Sequence, residues 1–307
     1  MNSPPRAESI SYAEFTGILS RYPALIASQS KPSSKQAGAA IRSLDTLEEL
    51  DEYRIHAVPA ELAKLDKKHL TKEQVELLIK WKLKHGKWRP RLANLVSSNS
   101  SLTIENTTRD AFALHSTNVE DPQPALNMLS RLSGIGPASA SLLLSVYDPN
   151  NVPFFSDEAF RWVNWEEGKG KGWDRKIGYN VKEYDALVEA VRKVRKRLEA
   201  ESGGKPIGAG EVERVGWVIG REEEREASVS KGSERKRGLA AKTSKKEEKV
   251  PTTSPAPKES KKPAKGSMRQ SDVEMAAKRK SLTKAATPLT AKEDAQEPRR
   301  SKRIRSS

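Results

Sequence analysis

The chain contains no cysteine. That excludes a disulfide framework, a thiolate zinc site, a cysteine-ligated iron–sulfur cluster and a thiol nucleophile. Histidine is scarce as well. His56, His69, His85 and His115 stand apart, without the spacing of a ligand set, so no metal and no cofactor is expected. No apolar run approaches the ~20 residues of a membrane helix. The first ten residues carry no apolar h-region, so neither secretion nor membrane insertion is expected, and the protein is expected inside the cell. Aromatics are few and unevenly placed: all six Trp, six Tyr and five Phe precede residue 218.

What is abundant is charge. The 307 residues include 56 Lys+Arg and 41 Asp+Glu, a formal net charge of +15. Residues 218–307 hold 25 basic and 13 acidic residues, net +12; residues 1–217 hold the remaining 31 and 28, net +3. The basic character therefore belongs mostly to the C-terminal part. That part lacks the apolar surface to offset its ordering entropy and is expected to be a disordered tail. The expected organisation is a folded domain over 1–220 and a disordered basic tail over 221–307.

Helix punctuation dominates the folded part, and strand-like alternation is hard to find. The pattern predicts an all-α domain with helices near 11–22, 44–58, 71–85, 90–96, 106–115, 124–132, 137–146, 156–165, 181–201 and 211–218. Pro59 is expected to end or kink the second of these. Thr71 and Gln74 form a capping-box pattern, with Gly86 at the other end of that helix. A stripe of Tyr184, Leu187, Val188, Val191, Val194 and Leu198 makes 181–201 amphipathic.

The most informative stretch is Leu132-Ser133-Gly134-Ile135-Gly136-Pro137-Ala138-Ser139-Ala140, inside a predicted hairpin over 124–146. One helix ends, two glycines turn the chain, and Pro137 opens the next helix. Gly134, Gly136 and Ala138 would leave turn and helix-start amides free for a phosphate, while Ile135 anchors the turn from inside. A plain αα-turn has the same punctuation.

This stretch resembles the helix-hairpin-helix of the DNA glycosylase superfamily, in particular a little-described eukaryotic branch, many of its members fungal. The resemblance implies a glycosylase-like helical fold and a nucleic-acid role. In that superfamily the hairpin is followed by a Val-Asp-Thr-His-…-Arg segment whose aspartate assists base excision. The comparable stretch here runs from Val152 to Trp162. Ungapped, the aspartate falls on Ser156 and the later arginine on Arg161, which leaves Asp157 as the candidate catalytic carboxylate, one residue late. Asp157 and Glu158 would equally serve as first-turn acids of a helix capped by Ser156. Bifunctional members place a nucleophilic lysine where this chain has Ala138, so Schiff-base chemistry at that position is excluded.

A second segment carries the same resemblance: Lys80-Trp81-Lys82-Leu83-Lys84-His85-Gly86-Lys87-Trp88-Arg89-Pro90-Arg91. It has six basic residues, two Trp and no acid. Lys82, Lys84, Lys87, Arg89 and Arg91 are candidate phosphate contacts, and an exposed Trp88 could stack on a base or sugar. Trp81 falls on the apolar stripe and is expected in the core.

In the tail, Arg235-Lys236-Arg237, Lys278-Arg279-Lys280 and Arg299-Arg300-Ser301-Lys302-Arg303-Ile304-Arg305 are basic clusters that read as nuclear-import or polyanion-binding segments, the last two for a nuclear import receptor. The expectation is a nuclear, repair-related protein that grips the DNA backbone, without strong sequence selectivity and without base excision. Two alternatives stand beside it. One is a monofunctional DNA glycosylase using Asp157. The other is a chromatin or repair scaffold whose tail alone touches nucleic acid.

Overall fold

A computed structural model of the chain describes residues 4–30, 44–166, 170 and 172–244, all within one unit spanning residues 1–249. The import-type clusters at 278–280 and 299–305 lie outside the described residues. The architecture is all-helical, and no strand occurs among the described residues. Among the described residues twelve α-helices follow in order: α1 Tyr12–Leu19, α2 Tyr22–Gln29, α3 Leu47–Glu52, α4 Val58–Ala63, α5 Lys72–His85, α6 Leu92–Ser97, α7 Ser101–Thr117, α8 Gln123–Leu129, α9 Pro137–Ser145, α10 Asp157–Val163, α11 Val181–Glu201 and α12 Ala209–Ser244.

Local sequence explains most helix starts. Ser11–Glu14, Thr46–Glu49, Thr71–Gln74 and Asn180–Glu183 each form a complete capping box, satisfying orphan amides at both ends of the pair. Three expectations need correction. Residues 11–22 do not form one helix: α1 ends at Leu19 and Pro23 sits in the first turn of α2. Pro59 does not break 44–58. A π-turn over Tyr53–Ala57 widens the helix there, and the proline enters the first turn of α4. Gly86 is not a left-handed cap; its φ of −121° carries the chain out extended.

The last helix does not stop near Val218 but runs to Ser244, across the boundary placed after residue 220. Past Ile219 its sequence has few large apolar residues but many good helix formers, and Arg221 pairs with Glu224 at 2.8 Å within it.

The core is built on three fully buried tryptophans, Trp81, Trp162 and Trp217. Buried Asp51 gathers three donors: the Tyr22 hydroxyl at 2.9 Å, the Trp81 indole N–H at 2.9 Å and the Arg54 guanidinium at 3.3 Å. Arg54 also lies 4.0 Å from the Trp81 ring centroid. Helices α10 and α12 cross closely because α12 presents glycines. A Cβ on Gly216 would lie 2.7 Å from the Ala159 Cα, and one on Gly220 would lie 2.7 Å from the Glu158 Cγ. This crossing fixes α10, and with it Asp157.

Glu213 on α12 is completely buried near Arg54. Burial lifts its carboxyl to about 7, with Arg54 opposing. A carboxyl raised on folding loses stability as pH climbs through that value. Glu213→Gln is therefore expected to leave thermal stability nearly unchanged at pH 5 and to raise it by roughly 1–3 kcal/mol at pH 8. Thermal denaturation at both pH values checks this. A variant less stable at pH 8 than the parent would show that the ionised carboxylate is needed.

Candidate functional site

The hairpin between α8 and α9 is a tight corner braced from below. Gly134 adopts φ +78°, and a Cβ there would lie 2.8 Å from the Leu95 Cβ and 3.2 Å from the Val96 amide nitrogen. The glycine is required twice, for the left-handed backbone and for the seat on α6. Asn99 clamps the corner: its Oδ1 accepts from the Ser133 amide at 2.9 Å and its Nδ2 donates to the Ser133 carbonyl at 3.0 Å. Ile135 is buried and donates its amide to the Leu132 carbonyl, so it serves as the anchor expected of it.

Gly136 faces the other way. It is exposed, and a Cβ there would meet nothing within 4 Å. Neither its amide nor that of Ala138 donates to a protein acceptor among the described residues. They sit at the N-terminus of α9, where the helix dipole favours an anion.

The corner borders a continuous concavity. A cavity of about 270 Å³ is lined by Lys82, Lys87, Arg89, Ala138, Asp157 and Tyr179, among others. A second, of about 310 Å³, shares Lys82, Arg89, Ala138 and Tyr179 and reaches Gly134 and Gly136. A shallower groove of about 480 Å³ continues past Trp88, Arg91, Leu95 and Gly134. Leu92 and Arg89 border all three.

The basic string divides in a way its pattern does not show. Lys80 is neutralised by Asp45 at 2.6 Å. Lys84, Lys87, Arg89 and Arg91 are exposed and form no ion pair among the described residues. Lys84 lines none of the three hollows, whereas Lys87, Arg89 and Arg91 do. Trp88 is 66% exposed and Trp81 is fully buried, as expected of each.

Lys82 departs from the reading as an exposed cation. Its amine points back to α9 and donates to the Ser139 hydroxyl at 3.1 Å. Burial lowers it to about 8, Arg89 adds to the effect and Asp157 opposes it.

At α10, Ser156 is the cap, accepting from the Ala159 amide at 3.3 Å. The Asp157 carboxylate is therefore not the capping group. Its Oδ1 accepts from the Tyr179 hydroxyl at 2.7 Å, and its Oδ2 lies 3.7 Å from Arg161 Nη1. Tyr179 was not singled out by any motif. It sits at φ +54°, the only positive φ among described non-glycine residues, and backbone strain of this kind concentrates at functional sites. Arg89 lies 5.2 Å from its ring centroid. The far wall is closed by Arg221, whose guanidinium lies 3.0 Å from the Glu158 carboxylate and donates to the His85 carbonyl at 2.7 Å.

No family model, curated protein or solved structure matches this chain. Among the described residues no group of three His, Asp or Glu is placed to hold a metal ion, and no helix is long and apolar enough to cross a membrane.

The two hairpin glycines are expected to behave differently. Gly134→Ala should cost about 1–3 kcal/mol through the strained φ and the clash with α6, whereas Gly136→Ala should be close to neutral. Urea denaturation of both variants measures the contrast. Equal stabilities would remove the seat on α6 from the account.

Proposed function

We propose that this chain binds DNA through a helix-hairpin-helix of the glycosylase-superfamily kind, gripping the backbone at the Gly134–Ala138 corner. The observation that supports this most is the exposed Gly136 corner, with unpaired amides, opening onto the same concavity as Lys82, Lys87 and Arg89. Amides and unpaired cations take a phosphate strand without reading its sequence, so affinity is weakly sequence-selective and strongly salt-dependent. Arg91 and Trp88 extend the track along the groove. In this reading the protein is nuclear and repair-related, and the clusters at 278–280 and 299–305 serve an import receptor.

A second reading, base excision by a monofunctional glycosylase, is favoured by one particular. The Asp157 carboxylate lines a cavity beside the hairpin, and Ser156 does the capping. A nucleotide extruded from duplex DNA would need such a hollow. Release of free base from damaged duplexes, abolished by Asp157→Asn, would establish it.

The binding proposal is tested on a chain ending at residue 249, which keeps all of α12 and removes the two import-type clusters. Such a chain should bind duplex DNA with a log–log salt slope on the order of −3, from the three exposed cations Lys87, Arg89 and Arg91. Gly136→Asp should weaken it about tenfold with unchanged helicity, by placing an acid beside the phosphate. DNA affinity that resides only in residues 250–307 would replace the proposal with the scaffold reading.

A further inference from the structure

One of the six tryptophans is unlike the rest. Trp81 and Trp217 both stack on His85, with ring centroids 4.3 and 4.7 Å from it. Trp165 and Trp173 pack edge to face at 5.2 Å, and buried Trp162 donates to the Pro5 carbonyl at 2.8 Å. Trp88 is 66% exposed and stacks on no ring or cation among the described residues. An indole left in water is a large apolar surface without a partner. Nor does it stand alone. Leu95 on α6 is 47% exposed, and both side chains line one groove with Pro90, Leu92 and Gly134. At about 480 Å³ the groove falls within the roughly 300–1,000 Å³ of small-ligand hollows.

The groove is held in shape by its backbone. The Leu92 amide donates to the Arg89 carbonyl at 3.2 Å, and the Leu95 amide donates to the Arg91 carbonyl at 3.1 Å. Pro90 lies inside that turn and fixes its own φ, so the segment leading from Trp88 into α6 has little freedom. The rim is basic: Arg89 and Arg91 are exposed and form no ion pair among the described residues. Arg89, Leu92 and Gly134 also border the hollow that reaches Gly136. A strand with a phosphate at the Gly136 corner therefore runs its neighbouring nucleotides past the groove. A continuous duplex offers the indole no partner, because its base faces are stacked on one another and its outside is charged backbone. An unpaired base has an open π-face, and every base has one. A phosphodiester strand meets the free amides, the arginines and the indole together, whereas a peptide would have to supply acids and an aromatic ring at matching places.

Resting on the DNA-binding reading, we propose that the Trp88–Leu95 groove holds an unpaired nucleobase, and that the substrate is DNA with a single-stranded stretch rather than a continuous duplex. The base stacks on Trp88 beside Leu92 and Leu95, and Arg89 and Arg91 take its flanking phosphates. Asp157 does not line this groove, so the groove holds a base without acting on it.

The full chain is titrated, at one salt concentration, into an intact duplex, the same duplex with a gap of about four nucleotides in one strand, and that gapped duplex with base-free spacers opposite the gap. Fluorescence anisotropy gives a Kd for each. A gap removes phosphates, so cation contacts alone, those of residues 250–307 included, favour the intact duplex. The gapped duplex should bind about tenfold more tightly than the intact one, and the base-free spacers should abolish the gain. Trp88→Ala should bring gapped and intact duplexes to within about twofold of each other, and Trp88→Phe, which keeps a π-face, should retain most of the preference. Circular dichroism should show both variants folded as the parent, since the side chain is exposed. Equal affinity for gapped and intact duplexes, or a preference that survives loss of the bases or of the indole, overturns the inference and leaves the binding reading standing. If the chain binds neither duplex, the binding reading and the inference fall together, and the groove passes to an acidic peptide.

Discussion

The seat of Gly134 on α6 is the contact on which the candidate site depends. It brings a loop with two glycines against the short helix that follows the basic string. Only a residue without a Cβ can lie so near Leu95 and Val96 while holding a positive φ. Asn99 fastens the same corner with two hydrogen bonds to Ser133. With one side of the turn locked to the protein, the other side, at Gly136, is left facing outward. The cations before α6 and the amides before α9 thus share one concave surface, although they are nearly fifty residues apart in the chain.

A second constraint fixes the opposite wall. Gly216 and Gly220 let α12 press against α10, and Tyr179 ties α10 to the segment before α11 through the Asp157 carboxylate. The buried polar groups beneath, Asp51 with its three donors and Glu213 near Arg54, hold the helices in register around the tryptophans. In a low-dielectric core such groups need specific partners, which limits how the helices can repack. The result is a hollow in which a carboxylate, a strained tyrosine and a lysine amine face one another under a rim of unpaired cations.

Much of this was legible in the chain. The extent of α11 followed from its apolar stripe, and α5 followed from its capping box, whereas the Asn180–Glu183 box that starts α11 was not read from the chain. Two glycines before Pro137 located the hairpin, and the lack of an acid in 80–91 located the free cations. Other features depend on tertiary packing and leave little local trace. The burial of Lys82 requires α9 to cross α5. The strain at Tyr179 is carried by a residue type that normally avoids positive φ. The π-turn before Pro59 and the continuation of α12 to Ser244 were hidden for opposite reasons. Proline usually stops a helix, and a segment without aromatics usually looks unstructured, yet a widened turn tolerates the first and good helix formers extend the second. Asp157 read as a first-turn acid behind the Ser156 cap, and it occupies that place; that its carboxylate also accepts from Tyr179 and faces the hollow shows only in the side-chain geometry.

The central claim is that main-chain amides at the Gly136 corner take an anionic strand. The most direct measurement is a ¹H–¹⁵N titration of the chain ending at residue 249 with a short duplex. The Gly136 and Ala138 amide resonances should be among those that shift most, and the Ala140 amide, which donates to the Gly136 carbonyl within α9, should move little. Saturable binding that leaves Gly136 and Ala138 unmoved would contradict the account.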